Sequence, residues 1–247
     1  YQSDLRPSDE IGRTAGLRAV ERVHPRRPAT GSYPVIYDER ISSGLVGHFL
    51  SAINGASITR GSSWLKDSLG KHVLPSTCKL VENPHRLRAG ASRLFDSEGL
   101  ATKKREILSK GVLNGWTLDL ASARKLGMKP TANASRNVSS NPSPTNWNIE
   151  LSSPEDYCDN LLSEMGNGLL VTSLIGSTIN PNTGDYSRGV SGFWVEDGQI
   201  CYPVSEITVA GNLKDMLKKI ILGNDAQRHL SYVVPSILVE DMTLAGS

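Results

Sequence analysis

The sequence has little net charge, few cysteines and no long apolar run. Its 247 residues include 27 lysines and arginines against 25 aspartates and glutamates, a formal net charge of +2. This balance gives no support for a nucleic-acid or acidic-lipid partner. Apolar runs such as residues 168–175 fall well short of the roughly 20 residues that span a bilayer, and residues 1–7 lack the pattern of a signal peptide. We therefore expect a cytoplasmic protein that contacts neither membrane nor nucleic acid.

The cysteines Cys78, Cys158 and Cys201 are an odd number at long and irregular spacings. Such spacing fits neither a disulfide framework nor a CxxC metal clip. We expect all three thiols to be reduced, and the spacing indicates no metal site built from them.

The order of apolar and turn-forming segments predicts an α+β fold, with a mainly antiparallel, barrel-like sheet and a few flanking helices. Residues 1–32 read as an N-terminal helix and a basic linker, and residues 33–247 as one domain. Residues 193–202 form a hairpin pattern around Asp197-Gly198. Helices are expected from Ser153 to about Met165 and over Leu213 to Leu222, and residues 131–148 read as an exposed loop.

A buried helix is predicted within residues 40–57, capped by Ser42 or Ser43, and it carries one ionisable side chain, His48. A zinc-hydrolase helix needs two ligands one turn apart and a carboxylate base. The helical neighbours of His48 are glycine, leucine, serine and alanine, none of which is a strong zinc ligand. His48 is therefore interpreted as a core histidine with a hydrogen-bond partner, in preference to a ligand or base.

Segments spread from about residue 33 to the C-terminus resemble, in order, the C-terminal half of the PmbA (TldE) branch of the TldD/PmbA family, whose members are called modulators of DNA gyrase. They are Gly44–Phe49, Asp67–Lys71, Phe95–Gly99, Ser122–Gly127, Thr183–Gly189, Gly192–Glu196 and Pro203–Asp215. In the family a domain of similar size precedes this part. Because the sequence also does not begin with methionine, we expect it to be part of a longer protein.

The resemblance implies a metallopeptidase complex in which the TldD member binds zinc through an HExxxH helix and a later cysteine, and pairs with the PmbA member. If His48 matches the second histidine, Ser43 and Gly44 occupy the positions of the first histidine and the glutamate, and Val234 occupies that of the cysteine. His48 is then a vestigial position. We expect no metal in this chain, zinc in a TldD-type partner, and a heterodimer with that partner or a self-dimer.

Related chains are thought to hold an extended, unfolded peptide beside sheet strands, which implies a substrate cleft. The candidate cleft residues here are Asp185, Tyr186, Arg188, Gly189 and Phe193, and the segment that contains them is the candidate edge for the peptide. Asp185 and Arg188 are candidates to anchor peptide termini, but a turn cap and a salt bridge are equally good interpretations of the two.

Three functions remain open at this point. The leading hypothesis is the non-zinc-binding subunit of a TldD/PmbA-type peptidase complex, which forms part of the substrate cleft and the partner interface. The alternative is a regulatory binding module of the gyrase-modulator type, without chemistry of its own. The least favoured is an independent peptidase that uses His48 with one of the three cysteines, since nothing in their spacing supports it.

Overall fold

The computed structural model describes residues 5–154 and 156–246, although not the side chains of residues 177 and 178. This part of the chain has a mixed α+β fold, which confirms the predicted fold class. Its helices are α1 (Ser8–Val20), α2 (Glu39–Ala52), α3 (Gly55–Thr59), α4 (Leu120–Leu126), α5 (Leu161–Met165) and α6 (Leu213–Met216). Its strands are β1 (Gly31–Tyr37), β2 (Lys79–Glu82), β3 (Arg105–Ser109), β4 (Val112–Leu113), β5 (Ala134–Ser135), β6 (Ser143–Pro144), β7 (Ile149–Ser152), β8 (Tyr157–Cys158), β9 (Gly168–Ile179), β10 (Asp185–Glu196), β11 (Gln199–Asn212), β12 (Ile220–Gly223), β13 (Tyr232–Val233) and β14 (Ile237–Ala245).

Five of the described strands close into a barrel in the order β1, β9, β10, β11, β14. The ring is completed by β14 and β1, which pair from Gly31 opposite Leu244 to Tyr37 opposite Ile237. Of these pairs only β1 with β9 is parallel. Strands β12 and β8 continue the sheet beyond β14. The barrel-like, mainly antiparallel sheet predicted from the sequence is therefore confirmed.

The barrel, helix α2 and a smaller sheet share one hydrophobic core. The smaller sheet has the order β13, β7, β2, β3, β4. Successive residues of a strand face opposite sides, so Val35 and Tyr37 of β1 pack in the main core, whereas Ile36 packs on the other face of the sheet beside Met165 of α5. Phe49 of α2 lies in the main core. This packing fixes the position of α2 against the barrel.

The hairpin of β10 and β11 forms at the predicted turn and is much longer than predicted. Both turn residues have positive φ, 48° at Asp197 and 73° at Gly198, the backbone that two-residue hairpin turns require. The pairing runs from Glu196 opposite Gln199 to Asp185 opposite Asn212. The hairpin thus carries the candidate cleft residues on a long, doubly hydrogen-bonded strand.

Two predicted helices are shorter than the sequence indicated. The helix expected from Ser153 is limited to α5, because Tyr157–Cys158 pairs as a strand with β12. The helix expected to reach Leu222 ends in a 3₁₀ turn at Lys219, because Ile220–Gly223 joins the sheet beside β14. In both cases strand pairing replaces helical hydrogen bonds. Among the described residues, no helix has the length and apolarity needed to cross a membrane.

The segment predicted as an exposed loop, residues 131–148, is exposed only in its middle. Asn133 and Trp147 near its ends are buried, because the buried carboxylate of Glu82 accepts hydrogen bonds from the Asn133 side chain and from the backbone N–H of Trp147. The prediction of full exposure was wrong, since composition alone does not reveal a polar anchor supplied by a strand about 50 residues earlier.

Candidate functional site

Helix α2 positions His48 at the boundary between core and surface. The helix begins after Asp38, whose carboxylate accepts a hydrogen bond from the backbone N–H of Arg40 at 3.1 Å and forms an ion pair with the Arg40 side chain. The predicted caps, Ser42 and Ser43, lie inside the first turns instead. The residues of the buried face are Ser42, Leu45, Val46, Phe49, Leu50 and Ala52.

Two glycines of α2 leave space beside His48. A Cβ atom built on Gly44, one turn before His48, or on Gly47 would meet no neighbouring atom within 4 Å. A helix surface of this kind allows another backbone to approach closely. The face of α2 that carries His48 is therefore open beside the imidazole.

His48 is half-buried, and its ring packs edge-on against Tyr186, with the ring centroids 6.1 Å apart. Burial, followed by the positive charge of Arg188, lowers the pKa of His48 from its ordinary value of 6.5. The imidazole is thus neutral at pH 7. Because protonation is less favourable in the folded chain than in the unfolded one, His48 costs stability as the pH falls below about 6.5.

The His48 side chain forms no hydrogen bond with any other residue that the structure describes. The hydrogen-bond partner expected for a core histidine is thus not found among the described residues. Aromatic packing against Tyr186, rather than a polar partner, holds the ring within the described part of the fold.

Tyr186 and Arg188 lie two residues apart on β10 and so share one face of the strand. Tyr186 is buried, with only 2% of its surface exposed. Within the described residues, the Oη atom of Tyr186 and the Nε atom of Arg188 are both buried without a partner in hydrogen-bond geometry, although the Tyr37 hydroxyl is close enough to offset part of the rise that burial causes in the pKa of Tyr186. Unpartnered buried polar atoms are rare because each costs the free energy of its lost hydration. Their occurrence together marks this face of β10 as unusual.

The candidate edge segment is not an edge. Strand β10 is hydrogen-bonded to β9 on one side, with Tyr186 opposite Ile179 and Val195 opposite Gly168, and to β11 on the other. A peptide cannot add to backbone groups that are already paired. The prediction that an extended peptide adds to β10 was therefore wrong, because sequence alone does not show which strands lie at the centre of a barrel.

Strand β9 has the open edge that β10 lacks. Its pairing with β1 covers only Leu169–Val171, because the chain leaves β1 at Asp38 to enter α2. Beyond this point β9 continues to Ile179 and pairs with β10 alone among the described residues. Ile175 is largely exposed, and Gly176 has a φ of 69° with open space around it. Sequence analysis missed this edge, and no local pattern indicates it, because it depends on where the distant strand β1 stops pairing with β9.

Two of the other candidate cleft residues have local structural roles. The carboxylate of exposed Asp185 accepts hydrogen bonds from Thr183 Oγ1 at 2.5 Å and from Asn212 Nδ2 at 3.0 Å, and these bonds lower the pKa of Asp185. This arrangement matches the turn-cap interpretation. Phe193 lies between Leu170 and Pro203 on the neighbouring strands.

The residues around His48 do not fit a zinc site. Ser43 and Gly44 supply neither an imidazole nor a carboxylate, and Val234 is buried in the hydrophobic core. The single imidazole is that of His48, and the positive charge of Arg188 lowers its pKa. Within residues 5–154 and 156–246 no three histidine, cysteine, aspartate or glutamate side chains are grouped so as to hold a metal ion. A tetrahedral site needs at least three protein ligands.

The cysteines do not join this site. All three are free thiols, and burial raises the pKa of Cys78 to about 11, so that it is a protonated core thiol at neutral pH. Cys201 is exposed on β11, with its nearest polar contacts to Glu196 and Gln199. The structure therefore gives no support to a nucleophile made of His48 and a cysteine.

Comparison with known sequences identifies similar proteins over almost the whole chain. Residues 30–246 match the family model described as "PmbA/TldA metallopeptidase C-terminal domain". Metalloprotease PmbA of Escherichia coli O157:H7 is 44% identical over 245 residues, which are 99% of this chain and 52% of that protein. A PmbA homologue of Haemophilus influenzae is 42% identical over 96% of this chain and 51% of its own length. The chain thus spans about half the length of the curated relatives it matches.

Solved structures with the same fold also cover almost the whole chain. A protein of Thermotoga maritima described as a modulator of DNA gyrase has a TM-score of 0.87 at 32% identity, over 98% of this chain and 56% of its own. TldE of Thermococcus kodakarensis has a TM-score of 0.77 at 21% identity, over 93% and 55% of the two chains. At that identity the second match bears on the fold alone.

Proposed function

Because this chain belongs to the PmbA/TldD metallopeptidase family, we propose that it is part of the non-zinc-binding subunit of a peptidase complex. In this proposal a TldD-type partner supplies the zinc ion. The present chain contributes one wall of the groove that holds an unfolded peptide, together with part of the partner interface. It does not hydrolyse peptides by itself.

One observation carries the proposal. The helix that would bear the zinc ligands bears a single imidazole, and the positive charge of the Arg188 guanidinium lowers the pKa of that imidazole. His48 has only serine and glycine at the positions that the resemblance assigns to the other histidine and the base. The positive charge of Arg188, which lowers the pKa of His48, would equally oppose a bound dication. Polypeptide recognition needs neither ligand nor base, so it is compatible with these residues.

The space beside His48 supports a role in holding peptide. Helix α2 contacts β9, and its Gly44 and Gly47 leave open space on the surface. The backbone of β9 beyond Val171 pairs on one side only among the described residues. An extended peptide that adds to this edge gains main-chain hydrogen bonds without regard to its sequence, which suits an unfolded substrate.

The test compares three samples on one unstructured fluorogenic peptide: this protein alone, a zinc-loaded TldD-type partner alone, and the two together. We expect cleavage to be absent in the first sample and strongest in the third. Elemental analysis of the first sample should find far less than one zinc per chain. Equal activity of the partner with and without this protein contradicts the subunit role, and one zinc per chain contradicts the missing-ligand argument.

A matched pair of variants tests the groove within the same complex. Gly44→Val and Gly47→Val fill the open helix surface and should slow peptide cleavage. The exposed Ala121→Val on α4 adds the same branched side chain far along the sequence from α2 and should leave cleavage unchanged. Equal rates for all variants would remove the groove from the proposal while leaving the partnership with TldD-type subunits intact.

A further inference from the structure

Arg188 is a charged residue without a partner. Its guanidinium forms no hydrogen bond and no ion pair with any other residue described in the structure, although the residue is partly buried and its Nε is fully buried. The adjacent carboxylate, Asp185, is bound to Thr183 and Asn212. A guanidinium that is partly removed from water normally receives a carboxylate or phosphate in exchange. The described part of the chain supplies neither to Arg188.

The remaining polar atoms of the cluster are open to the surface. Buried unpartnered atoms in the described chain include Nε of Arg188 but neither its terminal nitrogens nor the ring nitrogens of His48. Since these nitrogens also have no hydrogen-bond partner among the described residues, they are accessible from outside. Tyr186 lies beneath them and holds the His48 ring by an edge-on contact. The outer donors are therefore one guanidinium and one neutral imidazole, on a rigid aromatic base.

We propose that His48 and Arg188 form a binding site for a carboxylate, with Tyr186 as the residue that positions the His48 ring. The guanidinium presents paired N–H donors that match the two carboxylate oxygens. The neutral imidazole donates one further hydrogen bond. One cation balances the single charge of a carboxylate, whereas a phosphate dianion would retain an unbalanced charge. The open space at Gly44 and Gly47 gives the ligand access along α2.

The carboxylate in question is the C-terminal carboxylate of a peptide that lies on the open edge of β9. This assignment of the source rests on the proposed function, whereas carboxylate binding itself does not. The register of β9 with β10 shifts between Ser187 and Gly189, where β9 carries one extra residue opposite Arg188. A bulge bends the strand that carries it, so the backbone of β9 departs from the regular ladder beside Arg188. The site would select peptides by where they end rather than by their sequence.

The experiment titrates this protein, without any partner, with an N-acetylated uncharged hexapeptide in two forms, the free C-terminal acid and the C-terminal amide. Binding is measured by calorimetry and by the NMR signals of the His48 ring. We expect the free acid to bind about tenfold or more tightly than the amide. Arg188→Gln should abolish this difference, Arg188→Lys should retain part of it, and Arg124→Gln, which changes an exposed arginine on α4, should leave it intact.

Equal affinity for the acid and the amide overturns the proposal that His48 and Arg188 bind a carboxylate. An amidated peptide with one internal glutamate that binds as tightly as the free acid overturns the assignment to the C-terminus, and inorganic phosphate that binds as tightly overturns the choice of carboxylate. If Arg188→Gln does not fold, by near-ultraviolet circular dichroism, the partly exposed His48→Gln provides the same comparison. Since no hydrolysis is measured, failure here is separate from failure of the proposed subunit role.

Discussion

Removal of the Glu82 carboxylate should destabilise the fold more than any surface substitution. Glu82 is 1% exposed and its carboxylate accepts hydrogen bonds from Arg105 Nε at 2.5 Å, Asn133 Nδ2 at 2.9 Å and Trp147 N–H at 2.7 Å. Glu82→Ala leaves Arg105 Nε and the Trp147 N–H without this acceptor, whereas Asn133 Nδ2 keeps its bond to the Thr145 carbonyl. Breaking a buried ion pair from one side costs about 3–5 kcal/mol. Arg105 keeps its bonds to the Trp116 carbonyl and Thr117 hydroxyl, so we expect the lower end, about 3 kcal/mol.

Urea denaturation followed by tryptophan fluorescence measures this loss, because Trp147 lies at the anchored end of the segment. The control is Glu106→Gln, which breaks the exposed ion pair with Lys79 on the neighbouring strand and should produce no resolvable change. A loss below about 1 kcal/mol for Glu82→Ala, the range of surface pairs, would refute the reasoning. It would mean that residues 131–148 do not depend on Glu82 for their place in the fold.

Three further predictions concern the candidate site and the barrel. Arg188→Gln should raise the pKa of His48 toward 6.5, because it removes one of the two causes that lower this pKa. NMR titration of the ring measures the shift, and an unchanged pKa would mean that the Arg188 charge is too far from His48 to affect it. Tyr186→Phe should leave the free energy of unfolding within about 1 kcal/mol of the wild-type value, because it keeps the ring and removes a buried hydroxyl that interacts with the Tyr37 hydroxyl without full hydrogen-bond geometry; a larger loss in urea melts would reveal a stronger partner for that oxygen. Gly192→Ala should cost about 2 kcal/mol or more, since its Cβ would lie 1.9 Å from a carbonyl oxygen of β9, whereas Gly189→Ala, with its nearest contact at 3.5 Å, should cost little; equal melts for the two variants would contradict this packing.

The local pattern of the sequence determined much of the secondary structure. The hairpin turn at Asp197-Gly198 was predictable because only residues that accept positive φ form so tight a turn. The buried helix around His48 was predictable because its apolar residues recur at helical spacing. The absence of a second imidazole and a carboxylate near His48 was visible in the sequence itself, and the family followed from motifs in a fixed order. The turn, the helix and the missing ligands depend on residues close together along the chain, whereas the family depends on short motifs whose order along the chain is visible without the fold.

Long-range pairing decided the rest. Pairing with both β9 and β11 makes β10 a central strand, whereas the short pairing with β1 leaves β9 open beyond Val171 among the described residues, and no local pattern distinguishes the two. Strand pairing also shortened the helices that precede β12 and follow β8, since tertiary hydrogen bonds outweigh weak helix propensity. Likewise, sequence placed Tyr186 and Arg188 on one strand, but only the fold brought the His48 ring against Tyr186 and close enough to Arg188 for its charge to lower the pKa of His48. Whether a charged or polar group finds a partner depends on residues distant in sequence, so the unpartnered Arg188 was decided by the tertiary structure alone.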